Sequence, residues 1–261
     1  MNLFGDSMIK VGLLGCGAIG KTIAESSGRE YTIFAVYDKN FEKAKFFGDN
    51  YNSKVASSFE EFEEMCSECD LIVEAASQQA VKDCVKLLKY ADLLIMSSGA
   101  LSDYELLKEL VDTAKKYYRK IYIPSGAIAG IDALKAVKNC TNEVILTTIK
   151  HPSSLGLNLN EKKVIFEGSA LEAVKLYPKN VNVSATLSLA CLGFENTKVR
   201  IIADPKVSEN IHEIVAKGDF GELYIRVKNK KHPDNPKTSY LAALSAIRLI
   251  KSFSDVLKVG T

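Results

Sequence analysis

The stretch that decides the fold is VGLLGCGAIGKTIAE, residues 11–25, in which an apolar run meets three glycines and then a helical pattern. The apolar residues from Ile9 to Leu14 predict a buried strand, and the helical pattern begins near Ala18. The glycines stand at positions 15, 17 and 20, which is the spacing GxGxxG. Glycines often only make turns, but a strand before them and a helix after them are the context in which this spacing binds a dinucleotide.

An acidic residue completes the pattern, because Asp38 ends the next apolar run, Tyr31 to Tyr37, about 20 residues after the glycines. The glycines allow a tight turn and a close approach to a pyrophosphate, which the helix N-terminus also favours. Asp38 is expected to accept hydrogen bonds from the adenosine ribose, which favours NAD, and Lys39 beside it is compatible with the 2′-phosphate of NADP. FAD shares this fingerprint, but nothing else in the chain indicates a flavin domain. The residues predicted to bind the dinucleotide here are Gly15, Gly17, Ala18, Ile19, Gly20 and Asp38.

Strand and helix patterns alternate from this motif to about residue 123, with helical stretches of about 10–15 residues between the apolar runs. Nearly all-apolar strands are expected where helices cover both faces of a parallel sheet. We therefore predict an α/β fold that begins with a Rossmann domain, a doubly wound parallel sheet, over residues 1–124.

The second half has a different pattern, in which strands at hairpin spacing follow two helical stretches, and Gly218 and Gly221 make the last turn. This predicts a smaller α+β domain with a mixed or antiparallel sheet over residues 125–234, for the substrate or for dimerisation. The closing residues, 235–261, are expected to form a helix that packs back on the first domain. Asn235 would cap this helix, with Pro236 at its first position.

Composition and charge argue against several classes of protein. The 34 basic and 32 acidic residues are mixed along the chain, without the basic stripe of a nucleic-acid-binding protein. No apolar run approaches the roughly 20 residues that span a bilayer. No secretory signal pattern precedes the first strand, which begins directly after Met8. The six cysteines are scattered through a chain too large to need disulfides, so we predict reduced thiols in a cytoplasmic protein.

Two further loops are expected at the carboxyl ends of the parallel strands, where ligands bind in such sheets. They have the sequences AAS at 75–77 and SSGA at 97–100. Small residues there would let the nicotinamide half of the cofactor lie close to the backbone, although ordinary loop chemistry explains any one serine equally well. The candidates are Ala76, Ser77, Ser98 and Gly99.

The motifs of the common hydrolases and P-loop enzymes do not occur in the chain. Three histidines remain, His151, His212 and His232, and a lone histidine is more often structural than catalytic. His212 shares a strand face with Asn210 and Ile214, so we expect it to point inward from a rigid element. His232 lies among charged residues and is expected to be exposed.

The segment NPKTS at 235–239 predicts a carboxylate site, because a helix start offers N–H groups beside the side chains of Lys237, Thr238 and Ser239. An ordinary helix cap is the alternative interpretation. Cys66 and Cys69 have CxxC spacing, but without a second pair or a nearby histidine they predict no metal site.

Beyond these patterns, the chain resembles the L-aspartate dehydrogenases of the NAD-biosynthesis type. The resemblance rests on five stretches that cover almost the whole chain in the family's order. They are GLLGCGAIG (12–20), SGAIAGIDAL (125–134), NVNVSATLSLA (180–190), the strand around His212, and NPKTSYLAALSAI (235–247). The middle stretches are much more specific than the glycine loop.

The resemblance implies a homodimer that uses NAD or NADP to oxidise L-aspartate to iminoaspartate, an oxidoreductase reaction at a CH–NH2 group. The imine would be hydrolysed to oxaloacetate and ammonia, or passed to a quinolinate synthase for NAD biosynthesis. By match to the family's motifs, His212 is the catalytic residue, and Ala127 and Asn182 contact the cofactor. The substrate carboxylates would then be bound by Lys237, Thr238 and Ser239.

Two alternatives stay open at the level of sequence. One is a related Rossmann enzyme, such as a homoserine dehydrogenase or a dihydrodipicolinate reductase. The other is an NAD-sensing module without catalysis.

Overall fold

The computed structural model describes residues 8–177 and 181–260, and these residues form two compact units. The first unit runs to Pro124 and takes in Ala243–Val259, while the second is Ser125–Ala242 together with Gly260. The predicted boundary at residue 235 therefore differs from the observed one, because the segment up to Ala242 belongs to the second unit.

A six-stranded parallel sheet forms the first unit, with its strands in the order β3-β2-β1-β4-β5-β6. The strands are β1 (Ile9–Leu14), β2 (Tyr31–Tyr37), β3 (Lys54–Val55), β4 (Leu71–Glu74), β5 (Asp92–Ile95) and β6 (Ile121–Tyr122). The helices between them are α1 (Ala18–Glu25), α2 (Phe41–Tyr51), α3 (Phe59–Met65), α4 (Gln78–Asp83) and α5 (Tyr104–Lys116). This order confirms the predicted doubly wound sheet, and it reverses between β1 and β4, where such sheets bind their ligands.

The five-stranded sheet of the second unit is mixed, with the order β11-β10-β7-β9-β8. Its strands are β7 (Thr141–Lys150), β8 (Lys163–Ser169), β9 (Thr197–Ala203), β10 (Asn210–Gly218) and β11 (Gly221–Asn229). The helices are α6 (Ile131–Ala136), α7 (Ala170–Leu176) and α8 (Asn182–Ala190). The predicted β10–β11 hairpin is confirmed, whereas β9 does not pair with β10 and lies parallel to the long strand β7 instead.

One face of this sheet carries the core of the second unit. Because side chains alternate along a strand, every second residue of β7 and β10 faces the same way. Val144 and Leu146 of β7 pack there with Ile214 and Ala216 of β10, and residues of α6, α7 and α8 complete the cluster. Where the end of β7 lies beside the start of β10, the side chains on this face are polar.

The segment after β11 forms a small hairpin, in which β12 (Lys231–His232) pairs with β13 (Asn235–Ser239). The prediction that Asn235 and Pro236 begin a helix is therefore wrong. Proline, aspartate and asparagine favour turns as strongly as helix starts, and here the turn interpretation holds. The last helix, α9 (Tyr240–Lys251), begins after the hairpin.

The end of the chain packs within the first unit, and two of its contacts lie near the C-terminal end of α9. The ring of Phe253, beyond α9, packs on Tyr122 of β6 with 4.8 Å between centroids, and Lys251 pairs with Glu30. In the described ranges, no helix combines the length and the apolar character that crossing a bilayer requires.

Candidate functional site

The glycine loop of the first unit needs glycine at two positions for steric reasons. Gly15 has φ +105°, and a Cβ there would lie 2.7 Å from the backbone carbonyl of Ala75. A Cβ on Gly20 would overlap the carbonyl oxygen of Gly15. Gly17 is exposed at the N-terminus of α1, where it leaves the helix without a side-chain cap. The loop therefore has the tight turn, the close packing and the open helix end that a pyrophosphate site requires.

Asp38 lies beside this loop, directly after β2. Its Oδ2 accepts a hydrogen bond from the Cys16 N–H at 2.8 Å, and its Oδ1 accepts one from the Asn40 N–H at 2.8 Å. These bonds fix a half-exposed carboxylate that keeps lone pairs for ribose hydroxyls. Burial, together with the charge of Asp38, raises the pKa of the Cys16 thiol to about 12, so this thiol stays protonated.

Glu74 is a functional candidate that the sequence patterns did not single out. It ends β4 with no exposed surface and accepts four hydrogen bonds of 2.9 Å, from the N–H groups of Ala76, Ser77 and Ser97 and from the Ser97 hydroxyl. Burial raises the pKa of this carboxyl, and the four donors oppose that rise. Glu74 thus joins the loop after β4 to the loop after β5, at the point where the strand order reverses.

The other predicted cofactor residues of the first unit lie in these two loops. Ala76 and Ser77 are exposed, and the Ser77 hydroxyl caps α4 by accepting from the Ala80 N–H at 3.3 Å. Ser98 and Gly99 are buried in a short 3-10 turn. The structure therefore places all four residues at the carboxyl ends of β4 and β5, while their contacts with a cofactor stay a prediction.

In the second unit, His212 lies at the polar end of the core face, with 3% of its surface exposed. It pairs with Thr148 across β10 and β7, and its Nδ1 lies 3.0 Å from the Thr148 hydroxyl oxygen. Burial, aided by the positive charge of Lys150, lowers the pKa of His212 to about 3. The imidazole is therefore neutral at physiological pH, as a proton acceptor must be.

Lys150 is the second residue that sequence reasoning missed. It is the last residue of β7, two positions beyond Thr148 on the same face, and only 7% of its surface is exposed. Burial lowers the pKa of its ammonium group to about 8. The available signal was its position, because a lysine stands where the alternation of the strand would otherwise place a core residue.

The residues that the family resemblance assigned to the cofactor occupy different settings. Ala127 is buried, and its carbonyl accepts a hydrogen bond of 2.9 Å from the Asn229 amide. Asn229 pairs with Asn210 on the strand that carries His212, so Ala127 is tied to the polar end of that sheet. Asn182 is the exposed first residue of α8.

The predicted carboxylate residues 237–239 end β13 and lead directly into α9, so this helix starts at Tyr240 and not at Asn235. Ser239 is buried in β13 opposite Lys231, and the Thr238 hydroxyl accepts from the Asn235 amide at 3.3 Å. The side chain of Lys237 lies outside the described residues. Substrate binding by the three residues stays a prediction.

The other two histidines have local partners. His232 is buried rather than exposed as predicted, because the hairpin turns its ring onto Tyr240 at 5.5 Å, and its Nδ1 accepts from the Asp234 N–H. His151 lies at a strand end with its Nδ1 2.8 Å from the Ser153 hydroxyl.

The thiols of Cys66 and Cys69 are buried against Gly12 of β1. This packing accounts for their spacing. Among residues 8–177 and 181–260, no group of three or more His, Cys, Asp or Glu side chains is arranged to hold a metal ion.

Two family models match different parts of the chain. Residues 132–253 match the family model described as aspartate dehydrogenase, C-terminal, and residues 15–124 match homoserine dehydrogenase, NAD binding domain. The L-aspartate dehydrogenase of Methanococcoides burtonii is 46% identical, over 97% of this chain and 100% of its own. That of Archaeoglobus fulgidus is 45% identical, over 95% of this chain and 99% of its own.

Solved structures give the same result. The crystal structure of aspartate dehydrogenase from Thermotoga maritima has a TM-score of 0.82 and 32% identity, and the match covers 97% of this chain and 100% of that one. A dihydrodipicolinate reductase from Paenisporosarcina matches with a TM-score of 0.55 and 12% identity, which shows a shared fold alone. The full-length relatives decide the assignment, and the chain belongs to the L-aspartate dehydrogenase family.

Proposed function

We propose that this protein oxidises L-aspartate to iminoaspartate with NAD or NADP as the hydride acceptor. The observation that carries the proposal is His212, a buried and neutral imidazole fixed by Thr148 on a rigid strand. Full-length similarity to L-aspartate dehydrogenases supports the choice of substrate. The reaction converts the amino acid and the oxidised cofactor into the imine, the reduced cofactor and a proton, and water then releases oxaloacetate and ammonia.

The first unit has the features that a dinucleotide needs. The open N-terminus of α1 and the backbone of the glycine loop would bind the pyrophosphate, and the carboxylate of Asp38 would bind the adenosine ribose. The loops joined by Glu74, with Ala76, Ser77, Ser98 and Gly99, would hold the nicotinamide half. Ala127 and Asn182 of the second unit are further candidates for cofactor contacts. When bound, the cofactor supplies the hydride acceptor.

His212 would act on protons. Aspartate carries an ammonium group in solution, and the amine must lose a proton before the carbon–nitrogen double bond forms. A neutral imidazole accepts that proton and, after releasing it to solvent, can remove a proton from the water that attacks the imine. The Thr148 hydroxyl on Nδ1 orients the ring, which leaves Nε2 for the substrate. The residues 237–239 stay candidates for a substrate carboxylate.

The experiment that tests this function follows the absorbance of the reduced cofactor with L-aspartate and with each dinucleotide. We expect reduction with aspartate and none with homoserine. We expect His212→Asn to lower kcat by at least about a hundredfold while cofactor binding persists. A wild-type protein that binds a coenzyme without aspartate-dependent reduction would exclude the dehydrogenase and leave the sensing module, and one that binds neither coenzyme would exclude both.

We further propose a cytoplasmic homodimer that releases iminoaspartate or passes it to a quinolinate synthase. The unpaired state of the six cysteines supports a reducing compartment. For the dimer, the support is the sheet face opposite the core, where Ile145 and Val215 are only partly buried and Tyr224 is exposed. Light scattering of the purified protein tests the dimer, and a monomeric mass contradicts it.

A further inference from the structure

We propose that Lys150 binds a carboxylate of the substrate and holds it beside His212, so that it acts as a specificity-determining residue for dicarboxylic amino acids. This inference rests on the proposed function. It adds a residue from β7 to a site that the sequence motifs assigned to His212 and to residues 237–239.

The register of two strands places Lys150 near His212. Thr148 lies directly opposite His212 in the antiparallel β7–β10 pair, and Ile149 lies opposite Ile211. Lys150 is thus the diagonal neighbour of His212 on the same face, and the Cα atoms of such neighbours are about 7–8 Å apart. A side chain as long as lysine reaches across that gap, so one small substrate can contact both groups.

The surroundings of Lys150 are unusual for a lysine. Beyond Thr148 and His212, the face that carries it continues into the apolar core of the second unit, with residues such as Leu146. Lysine is almost never fully buried unless its charge is paired, and a methionine would fill the same space without the cost of desolvation. Burial lowers the pKa of this ammonium to about 8, so the charged form still predominates at neutral pH.

A carboxylate on Lys150 would also change the behaviour of His212. The positive charge of Lys150 disfavours protonation of the imidazole. A bound substrate anion offsets this charge, so proton transfer from the substrate ammonium to His212 becomes easier only once the substrate is present. Lys150 would therefore select the anionic substrate. Once the substrate offsets its charge, His212 would also accept a proton more readily in the complex.

The test uses Lys150→Met, which keeps the length of the side chain and removes its charge, and Lys150→Arg, which keeps the charge. Succinate serves as the probe, because it has two carboxylates but no amine to oxidise. In calorimetry on protein saturated with NAD, we expect Lys150→Met to weaken succinate binding by at least about tenfold, the loss of one charge-assisted bond. The KM for aspartate should rise in parallel, with Kd for NAD unchanged. Lys150→Arg should retain most of the succinate binding.

Lys198→Met is the matched control. Lys198 lies on the neighbouring strand β9, where it is exposed and pairs with Glu143, so its removal should leave succinate binding unchanged. Succinate binding to Lys150→Met as tight as to the wild type would overturn the proposal. Equal loss in Lys150→Met and Lys150→Arg would also overturn it, because packing rather than charge would then be responsible. A wild type that binds succinate but does not oxidise aspartate contradicts the proposed function instead.

Discussion

Two carboxylates of the first unit, Asp38 and Glu74, end parallel strands and yet serve different purposes. Asp38 accepts two backbone N–H groups and stays half-exposed, so part of its hydrogen-bonding capacity faces outward. Glu74 accepts four hydrogen bonds and is fully buried, so its capacity is used within the protein. A ligand can therefore contact the first directly, whereas the second acts through the loops that it joins.

The choice between NAD and NADP is predicted to depend on Asp38. In Asp38→Asn the shape is kept, but the charge is lost and one oxygen becomes an N–H donor. We expect Kd for NAD to rise by about tenfold, since hydrogen bonds to a charged group contribute about 1.5–3 kcal/mol. The preference for NAD over NADP should fall, because the carboxylate no longer repels a 2′-phosphate. Titration with both dinucleotides measures this ratio.

Asp49→Asn, an exposed change on α2, is the control for the loss of one negative charge. An NAD-to-NADP ratio that is the same in Asp38→Asn and in the wild type would show that the ribose lies elsewhere.

Single residues also show where sequence reasoning ends. The position of Asp38 beside the glycine loop was predictable from its distance to the glycines in the sequence. Lys150 and Glu74 were not, because each ends an apolar strand, where a charged residue usually marks the exit to solvent. Only the neighbours supplied by other strands and loops make these two side chains buried.

At the scale of elements, the loops after β4 and β5 depend on one another through Glu74. The change Glu74→Gln replaces one acceptor oxygen by an NH2 group that cannot accept from a backbone N–H. At least one of the N–H groups of Ala76, Ser77 and Ser97 should then lose its partner. We expect faster amide hydrogen exchange in both loops and weaker NAD binding, by about tenfold.

The matched control is Glu68→Gln, an exposed glutamate that pairs with Lys54. Exchange in the two loops should be unchanged in this variant. Were the loop amides of Glu74→Gln to exchange at the wild-type rate, the two loops would be held by other contacts.

Elements also differ in how far the sequence predicts them. The strands of the first unit were predictable because each βαβ unit is local and its apolar runs are long. The pairing of β9 with β7 was not, because about 50 residues separate strands that meet only through the tertiary fold. The hairpin at 231–239 was missed because Asn235 and Pro236 favour both a helix start and a turn.

At the scale of the whole molecule, the two buried ionisable residues of the proposed substrate site, His212 and Lys150, reduce stability while they can be protonated. Both His212 and Lys150 are buried ionisable groups, and burial lowers the pKa of each. Between the lowered pKa and the ordinary pKa of each group, the unfolded chain holds a proton that the folded chain has lost. Stability therefore rises with pH from about 3 to 6.5 for His212, and from about 8 to 10.5 for Lys150.

The effect of His212 can be measured as the pH dependence of the free energy of unfolding. Between pH 4 and 6, the unfolded imidazole is largely protonated and the folded one is neutral, so acid destabilises the wild type. One proton corresponds to about 1.4 kcal/mol per pH unit at most. We expect urea unfolding of His212→Gln to show a shallower fall in stability over this range, by up to that amount, since glutamine has no proton to take up.

His151→Gln is the control, because His151 lies at a strand end and is only partly buried. The slope of stability against pH should be nearly that of the wild type in this variant. If His212→Gln kept the wild-type slope, His212 would take up its proton equally well in the folded and unfolded protein. The imidazole would then be hydrated in the folded protein, which contradicts its burial at the polar end of the core face.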